Sequence, residues 1–282
     1  MADVGTETET ISRNPLGSGS NNAPVRVVKK TWMNERNTLR LASLVVFFAA
    51  WELISLKVNP LDLPSPWSVA KAFVDLITHG GLLSATWTSF QVFIIGFLVA
   101  AVAGVALGII LGLSPAIDSF ADLGITIFWA TPSVALLPLL VVWFGITTMS
   151  QLAVVFLSTF FPVVLQTSVA VSEVDNVLLR VAKSFGASRL QRVFRIIMPS
   201  ALPQIVSGLR VAVGRAVIGV VVAELFLAST GLGASMNTYS TAFQTANYFA
   251  ALAMFVVFSV VMTQVVTLLE HRYRKSRVVA KL

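Results

Sequence analysis

Cysteine is absent from this chain, which removes disulfide frameworks, thiol nucleophiles and cysteine-based metal sites from consideration. Histidine occurs only as His79 and His271, too far apart in sequence to suggest a histidine-rich metal centre. Charge is sparse as well: Asp, Glu, Lys and Arg make up 12% of 282 residues, against roughly a quarter in a soluble domain. No Gly-Lys pair occurs anywhere, so the G-x-x-x-x-G-K-[ST] loop that cradles nucleotide phosphates is missing. The expectation is a chain that is not an enzyme, with no metal and no cofactor.

What fills the space is apolar: 56% of residues are hydrophobic and the mean hydropathy is +0.83. Six apolar segments stand at 39–56, 89–113, 125–145, 151–171, 201–227 and 248–269. Each approaches the roughly 20 helical residues that cross a bilayer core about 30 Å thick. The expected fold is therefore all-α, a polytopic membrane bundle of about six transmembrane helices. The third segment holds Pro132 and Pro138. Prolines free backbone carbonyls that lipid cannot satisfy, so this span is expected inside the bundle. Residues 1–38 are rich in Gly, Ser, Asn and Thr and read as a disordered basic tail; no apolar run near the start marks a secretory signal. Residues 39–271 form the membrane domain, and 272–282 a second basic tail.

The net charge of +7 has a direction. Lys and Arg gather before the first span, between spans four and five, and after span six, while the opposite side offers only Lys57 and Lys71. By the positive-inside bias both termini face the cytoplasm, and the basic excess needs no nucleic-acid partner. Small residues recur every fourth position in span two, at Gly96, Ala100, Gly104, Gly108 and Gly112. Such a strip lets another helix approach closely; packing within one subunit is favoured over a dimer contact. In span five, Arg215 and Glu224 are candidates for a translocation path, since intramembrane charge is costly; a buried interhelical ion pair is the alternative. Nine residues separate them, about 13 Å at 1.5 Å per residue, so they do not pair with one another.

The connection from Ser172 to Pro199 is too long for a turn and has helical periodicity. Ser172, with Asp175 three residues on, reads as a helix start, and Val174, Val177, Leu178, Val181 and Phe185 form an apolar stripe opposite Arg180 and Lys183. Gly186 stops that helix. Ser188 opens another, with Gln191 completing a capping box. Leu190, Val193, Phe194 and Ile197 are its apolar face, and Pro199 ends the loop. Two short amphipathic helices with a glycine hinge suit either anionic lipid or a groove on a soluble protein.

On these residues the chain resembles the permease subunits of binding-protein-dependent ABC importers. Arg180-Val-Ala-Lys-Ser-Phe-Gly-Ala187 followed by Ile196-Ile-Met-Pro199 is similar to the family's EAA loop: E-A-A, three residues, G, about nine residues, I-x-L-P. Ala182, Gly186, Ile196 and Pro199 match, whereas Arg180 replaces the Glu, Val181 the first Ala and Met198 the Leu. Leu63-Pro-Ser-Pro-Trp-Ser-Val69, Leu137-Pro-Leu-Leu-Val-Val-Trp-Phe-Gly145, Gly208-Leu-Arg-Val-Ala-Val-Gly-Arg215 and Ala223-Glu-Leu225 resemble the nitrate, sulfonate, taurine and bicarbonate group.

The resemblance implies a type I importer transmembrane domain in a bacterial inner membrane. Its loop, about 173–199, would sit in a groove of a cytoplasmic ATPase present in two copies. Coupling would fall to Arg180, Val181, Ala182, Lys183, Phe185, Gly186, Ala187, Ser188, Ile196 and Pro199. It also implies a second permease copy, as a homodimer, and an extracytoplasmic solute-binding protein. The solute would be a sulfonate, nitrate or similar anion; the alternatives are an ion-coupled secondary transporter, or a relative carrying a neutral heterocycle. No convincing inverted repeat marks the former, and Glu52 with Glu224 supplies no reactive cluster for a membrane enzyme.

Overall fold

The computed structural model describes residues 32–279, with side-chain surroundings for residues 38–268. The tail expected over 1–38 therefore lies, through residue 31, outside the described residues, as do the side chains of the basic segment after 271. The chain divides into two units, residues 1–49 and 50–282. Helix α1 (Trp32–Ser55) supplies the described part of the first, where Leu41, Leu44 and Val45 are exposed.

The second unit is helical throughout its regular structure. It contains α2 (Pro66–Thr78), α3 (Leu82–Leu113), α4 (Pro115–Ala130), a 3₁₀ turn (Ser133–Leu136), α5 (Leu137–Phe144) and α6 (Thr148–Ser172). These are followed by α7 (Asn176–Ser184), α8 (Arg189–Arg192), a π-helical turn (Val193–Ile197), α9 (Met198–Leu227), α10 (Leu232–Thr241) and α11 (Thr245–Val279). Among the described residues five stretches are long and apolar enough to cross a membrane: Thr38–Ser55, Leu82–Leu113, Thr148–Ser172, Arg189–Leu227 and Thr245–Leu268. A sixth crossing is available if the bent pair α4 and α5 counts as one.

Helix directions follow from close approaches at glycine. A Cβ added to Gly96 would stand 2.7 Å from Val155, to Gly104 2.9 Å from Val163, to Gly108 2.6 Å from Thr167 and to Gly112 2.6 Å from Val171. The partners keep a constant separation of 59 residues, so α3 and α6 run parallel. On α9, Gly208 faces Gln166 and Gly219 faces Val155; one number rises as the other falls, and α9 is antiparallel to α6. The strip on α3 therefore serves packing inside the subunit. A parallel pair also requires the chain between them to return across the membrane, a task that falls to α4 and α5.

That return is not the single buried span expected over 125–145. Helix α4 begins ten residues earlier, and the pair bends by 90° between Ala130 and Ser133. Pro132 disfavours helical backbone at the residue before it, and Thr131 is extended (φ −73°, ψ 123°). Nor is the pair inside the subunit: Phe120 and Leu123 of α4 and Val142 and Trp143 of α5 are well exposed. Proline leaves fewer unsatisfied groups here than expected because the break coincides with a cap, not a helix interior.

The core lies where α3, α9, α10 and α11 meet. Phe93 stacks on Phe97 at 5.6 Å and meets Phe258 edge-on at 5.3 Å, with Leu232 and Met236 of α10 beside them and almost fully buried. Helix α10 occupies a stretch that has the composition of a simple connecting loop. Its small and hydroxyl residues hide a helix whose Leu232, Ala234 and Met236 are core.

The α3–α6 seam generates a stability prediction. Gly108→Ala is expected to cost about 1–3 kcal/mol through overpacking, because its Cβ would lie 2.7 Å from the Val164 carbonyl oxygen, which is backbone. Gly124→Ala, whose Cβ meets nothing within 4 Å, is expected to leave the melting temperature of the detergent-solubilised protein unchanged or raised.

Candidate functional site

The connection between α6 and α9 forms the two helices its periodicity implies. Helix α6 runs through Ser172 with Glu173 as its C-cap, so the first loop helix starts three residues later than Ser172. Asp175 is its N-cap and accepts from the Val177 amide at 2.7 Å. It ends in a Schellman arrangement: the Ala187 amide donates to the Ala182 carbonyl and the Gly186 amide to the Lys183 carbonyl, both at 3.0 Å. Gly186 stands at φ +76°, in the left-handed region where a Cβ is strained. The capping box at α8 is complete, with Ser188 Oγ accepting from the Gln191 amide and Gln191 Oε1 from the Ser188 amide.

Burial divides this loop. Val174 and Ile197 are buried against α6 and α9, and Ala182, Ala187, Ile196 and Pro199 are half-buried. Val177, Leu178 and Val181 are about half exposed, and Phe185, Leu190 and Phe194 stand out at 87%, 70% and 68%. Arg180, Lys183, Arg189 and Arg195 are exposed around them. Large exposed apolar patches with a polar rim are of the kind that marks interaction sites. Helix α8 is no separate helix: through the π turn it continues into α9 as one stretch, Arg189–Leu227. A π turn accommodates one extra residue in a helix and is found most often at functional positions.

Arg215 and Glu224 both lie on α9, but nine residues are two and a half helical turns, which sets them on opposite faces. Glu224 is fully buried. Its Oε2 accepts from Ser89 Oγ of α3 at 2.7 Å and from the Gly233 amide at 2.9 Å, while Ser89 Oγ accepts from the Leu232 amide at 2.9 Å. A carboxyl at the first turn of α10 satisfies amides that no intrahelical carbonyl reaches and complements the helix dipole. Among the described residues it has no cationic partner, so the interhelical ion pair is replaced by a capping joint between α3, α9 and α10. The joint depends on glycine, since a Cβ on Gly231 would lie 2.6 Å from Oε1 and one on Gly233 2.5 Å from the Glu224 Cβ. Ser89, Gly231 and Gly233 carry no signal of this role in sequence, as Ser89 is 135 residues from its partner.

Arg215 opens instead onto a cavity of about 340 Å³ at the α4–α5 break. Thr131, Pro132 and Ser133 form one wall, Ser158 of α6 another, and Phe128 stacks on Phe161 at 5.2 Å across it. Arg215 is exposed to this space and forms no ion pair or hydrogen bond among the described residues. It lies twelve residues from the end of α9, about 18 Å along the helix at 1.5 Å per residue. That depth is near the middle of a hydrocarbon core about 30 Å thick, where insertion scales put an arginine at about 2.5–3.5 kcal/mol. The cavity it opens onto carries the hydroxyls of Thr131, Ser133 and Ser158 in its lining, so its surroundings are not wholly apolar.

Comparison with known proteins adds to this geometry. Residues 104–275 match the family described as binding-protein-dependent transport system inner membrane component. The taurine transport system permease protein TauC of Escherichia coli is 34% identical over 216 residues, covering 74% of this chain and 78% of that protein. The putative aliphatic sulfonates transport permease protein SsuC of Bacillus subtilis is 32% identical over 234 residues, covering 82% and 85%. The nitrate import permease protein NrtB of Synechococcus elongatus is 30% identical over 200 residues, covering 67% and 72%. Among solved structures, an inward-facing MetNI methionine ABC transporter covers 69% of this chain and 95% of its own, with a TM-score of 0.57 and 16% identity, a likeness of fold.

The capping joint is testable apart from any transport. Glu224→Ala leaves buried donors unpaired and is expected to destabilise the protein by roughly 1–3 kcal/mol, with faster amide hydrogen exchange at the start of α10. Glu224→Gln keeps an acceptor for the Gly233 amide, and its exchange rates are expected to fall between those of the two.

Proposed function

The chain belongs to the family of binding-protein-dependent transport system inner membrane components, and we propose that it passes a small anionic solute through the membrane while a separate ATPase, docked on α7 and α8, drives the step. The observation that carries the reading is the uncovered apolar patch around Phe185, Leu190 and Phe194. A rim of Arg and Lys favours a protein groove with acidic edges, and two helices held at a fixed angle by the Gly186 cap present a rigid shape to it. Arg180, where the EAA pattern has Glu, stays on the rim as an exposed contact.

In this reading two copies of the chain line one pathway and two ATPases close beneath them. Closure pulls on α7 and α8, and because α8 continues into α9, the pull tilts the span that bears Arg215. An extracytoplasmic binding protein delivers solute at the opposite end, where α10 and the α10–α11 turn are presented. The loop and both termini face the cytoplasm, in keeping with where Lys and Arg gather. The solute assigned here is a small sulfonate or oxyanion. Relatives named for taurine, aliphatic sulfonates and nitrate share a compact anionic group, and Arg215 supplies a matching charge at mid-depth.

Reconstitution with the ATPase and binding protein tests the coupling assignment. Phe185→Ala changes a side chain that is 87% exposed, so folding is expected to be indifferent to it. Loss of such an anchor in a docked interface is expected to lower solute-stimulated ATP hydrolysis by about tenfold or more. Full stimulation in an intact Phe185→Ala assembly would sink the docking site. Orientation is checked separately, since the chain has no cysteine of its own. Ser188→Cys is expected to react with an impermeant thiol reagent only from the cytoplasmic side and Ser240→Cys only from outside; the reverse pattern inverts the topology.

A further inference from the structure

The cavity at the α4–α5 break has more than a charge in it. Ser158 Oγ donates its one proton to the Val154 carbonyl at 2.8 Å and accepts from Ser133 Oγ at 3.0 Å, so Ser133 and Ser158 both spend their protons within the protein. Thr131 Oγ1 donates back to the Ile127 carbonyl at 2.8 Å, so Thr131 offers the cavity no proton. The lining contains no Asp or Glu, and Arg215 has no ion-pair partner among the described residues. A volume of about 340 Å³ is at the small end of ligand pockets, roughly 300–1,000 Å³.

These features act together on one class of guest. An unpaired guanidinium in a cleft with low-dielectric walls focuses negative charge. It also presents a planar fork that suits oxygens held in a small oxyanion. The stacked Phe128 and Phe161 rings leave an apolar side on which a short carbon chain rests. We propose that this cavity is an intramembrane station for the anionic headgroup of the solute, a sulfonate or planar oxyanion, held by the guanidinium of Arg215. Selection by charge is then made within the membrane as well as by whatever delivers the solute. The proposal rests on the importer reading. A phosphate headgroup of a lipid offers the same chemistry, but at Arg215 it would have to sit about 18 Å from the helix end.

The test reads the local potential directly and does not depend on turnover. Ser133→Cys, the sole thiol in the reconstituted assembly in phosphatidylcholine vesicles, is labelled with anionic sulfonatoethyl or cationic trimethylammonioethyl methanethiosulfonate. The anion-to-cation rate ratio is expected to exceed that of a free thiol in solution by roughly tenfold or more, to return to the free-thiol value when Arg215→Gln is added, and to be lowered by taurine or nitrate. A ratio equal to that of the free thiol with Arg215 in place overturns the station. In parallel, Arg215→Gln is expected to lower taurine or nitrate uptake by about tenfold or more, with Arg215→Lys retaining part of it, since a lysine keeps the charge but loses the fork. Uptake by Arg215→Gln within twofold of the unsubstituted assembly overturns the station while leaving the importer reading intact. Absence of ATP-dependent uptake in the unsubstituted assembly counts against the importer reading, and the labelling ratio then still decides the cavity.

Discussion

Inside a bilayer, apolar side chains gain nothing by leaving lipid for one another, so helices associate only where their surfaces fit. The α3–α6 seam is that fit. Four glycines of α3 let the two backbones approach so closely that a single added methyl would strike Val155, Val163, Thr167 or Val171. Much of the remaining architecture follows from this one contact. The two helices run parallel, so the intervening chain has to cross back; it crosses with a 90° break; and the break leaves the hollow onto which Arg215 opens. Helix α9 then packs antiparallel along α6, burying one face and leaving the other to that hollow.

Much of this was legible in the residues. Apolar run lengths marked five of the crossings, the fourfold spacing of small residues marked the seam, and Ser188, Gln191 and Gly186 marked both helix ends in the loop, since capping chemistry is local. What failed was non-local. The third run, 125–145, read as one buried helix because hydropathy does not register a turn, although Thr131 before Pro132 carried the local signal for it. Helix α10 has no apolar run to mark it, because its burial depends on Leu232 and Met236 meeting aromatic rings from α3 and α11. The role of Glu224 was out of reach in the same way, since its acceptor geometry is completed by Ser89 at the far end of the fold.

The two charges on α9 show how one helix reconciles opposite demands. Glu224 is sealed from solvent, its Oε2 bound by Ser89 and the Gly233 amide, and ties α3, α9 and α10 together. Arg215, two and a half turns away, has no ion-pair partner among the described residues and opens onto the cavity at the α4–α5 break. A buried carboxyl bound by donors from two other elements contributes to structure; an ionisable group of opposite sign left open to a cavity is, in the proposed reading, available to a guest. Residue type and hydropathy rank the two alike, and only the side of the helix separates them.

The continuity of Arg189–Leu227 has a mechanical meaning. A single helical stretch of 39 residues is about 58 Å long at 1.5 Å per residue, far stiffer than any loop, with Phe194 near one end. In the proposed coupling, the seam with α6, centred on Gly208 and Gly219, is where such a rod pivots, and the π turn at Val193–Ile197 and Pro203 are the places where it can yield. A displacement applied at the loop is then passed along the backbone to the far end of the span without an intervening loop to absorb it.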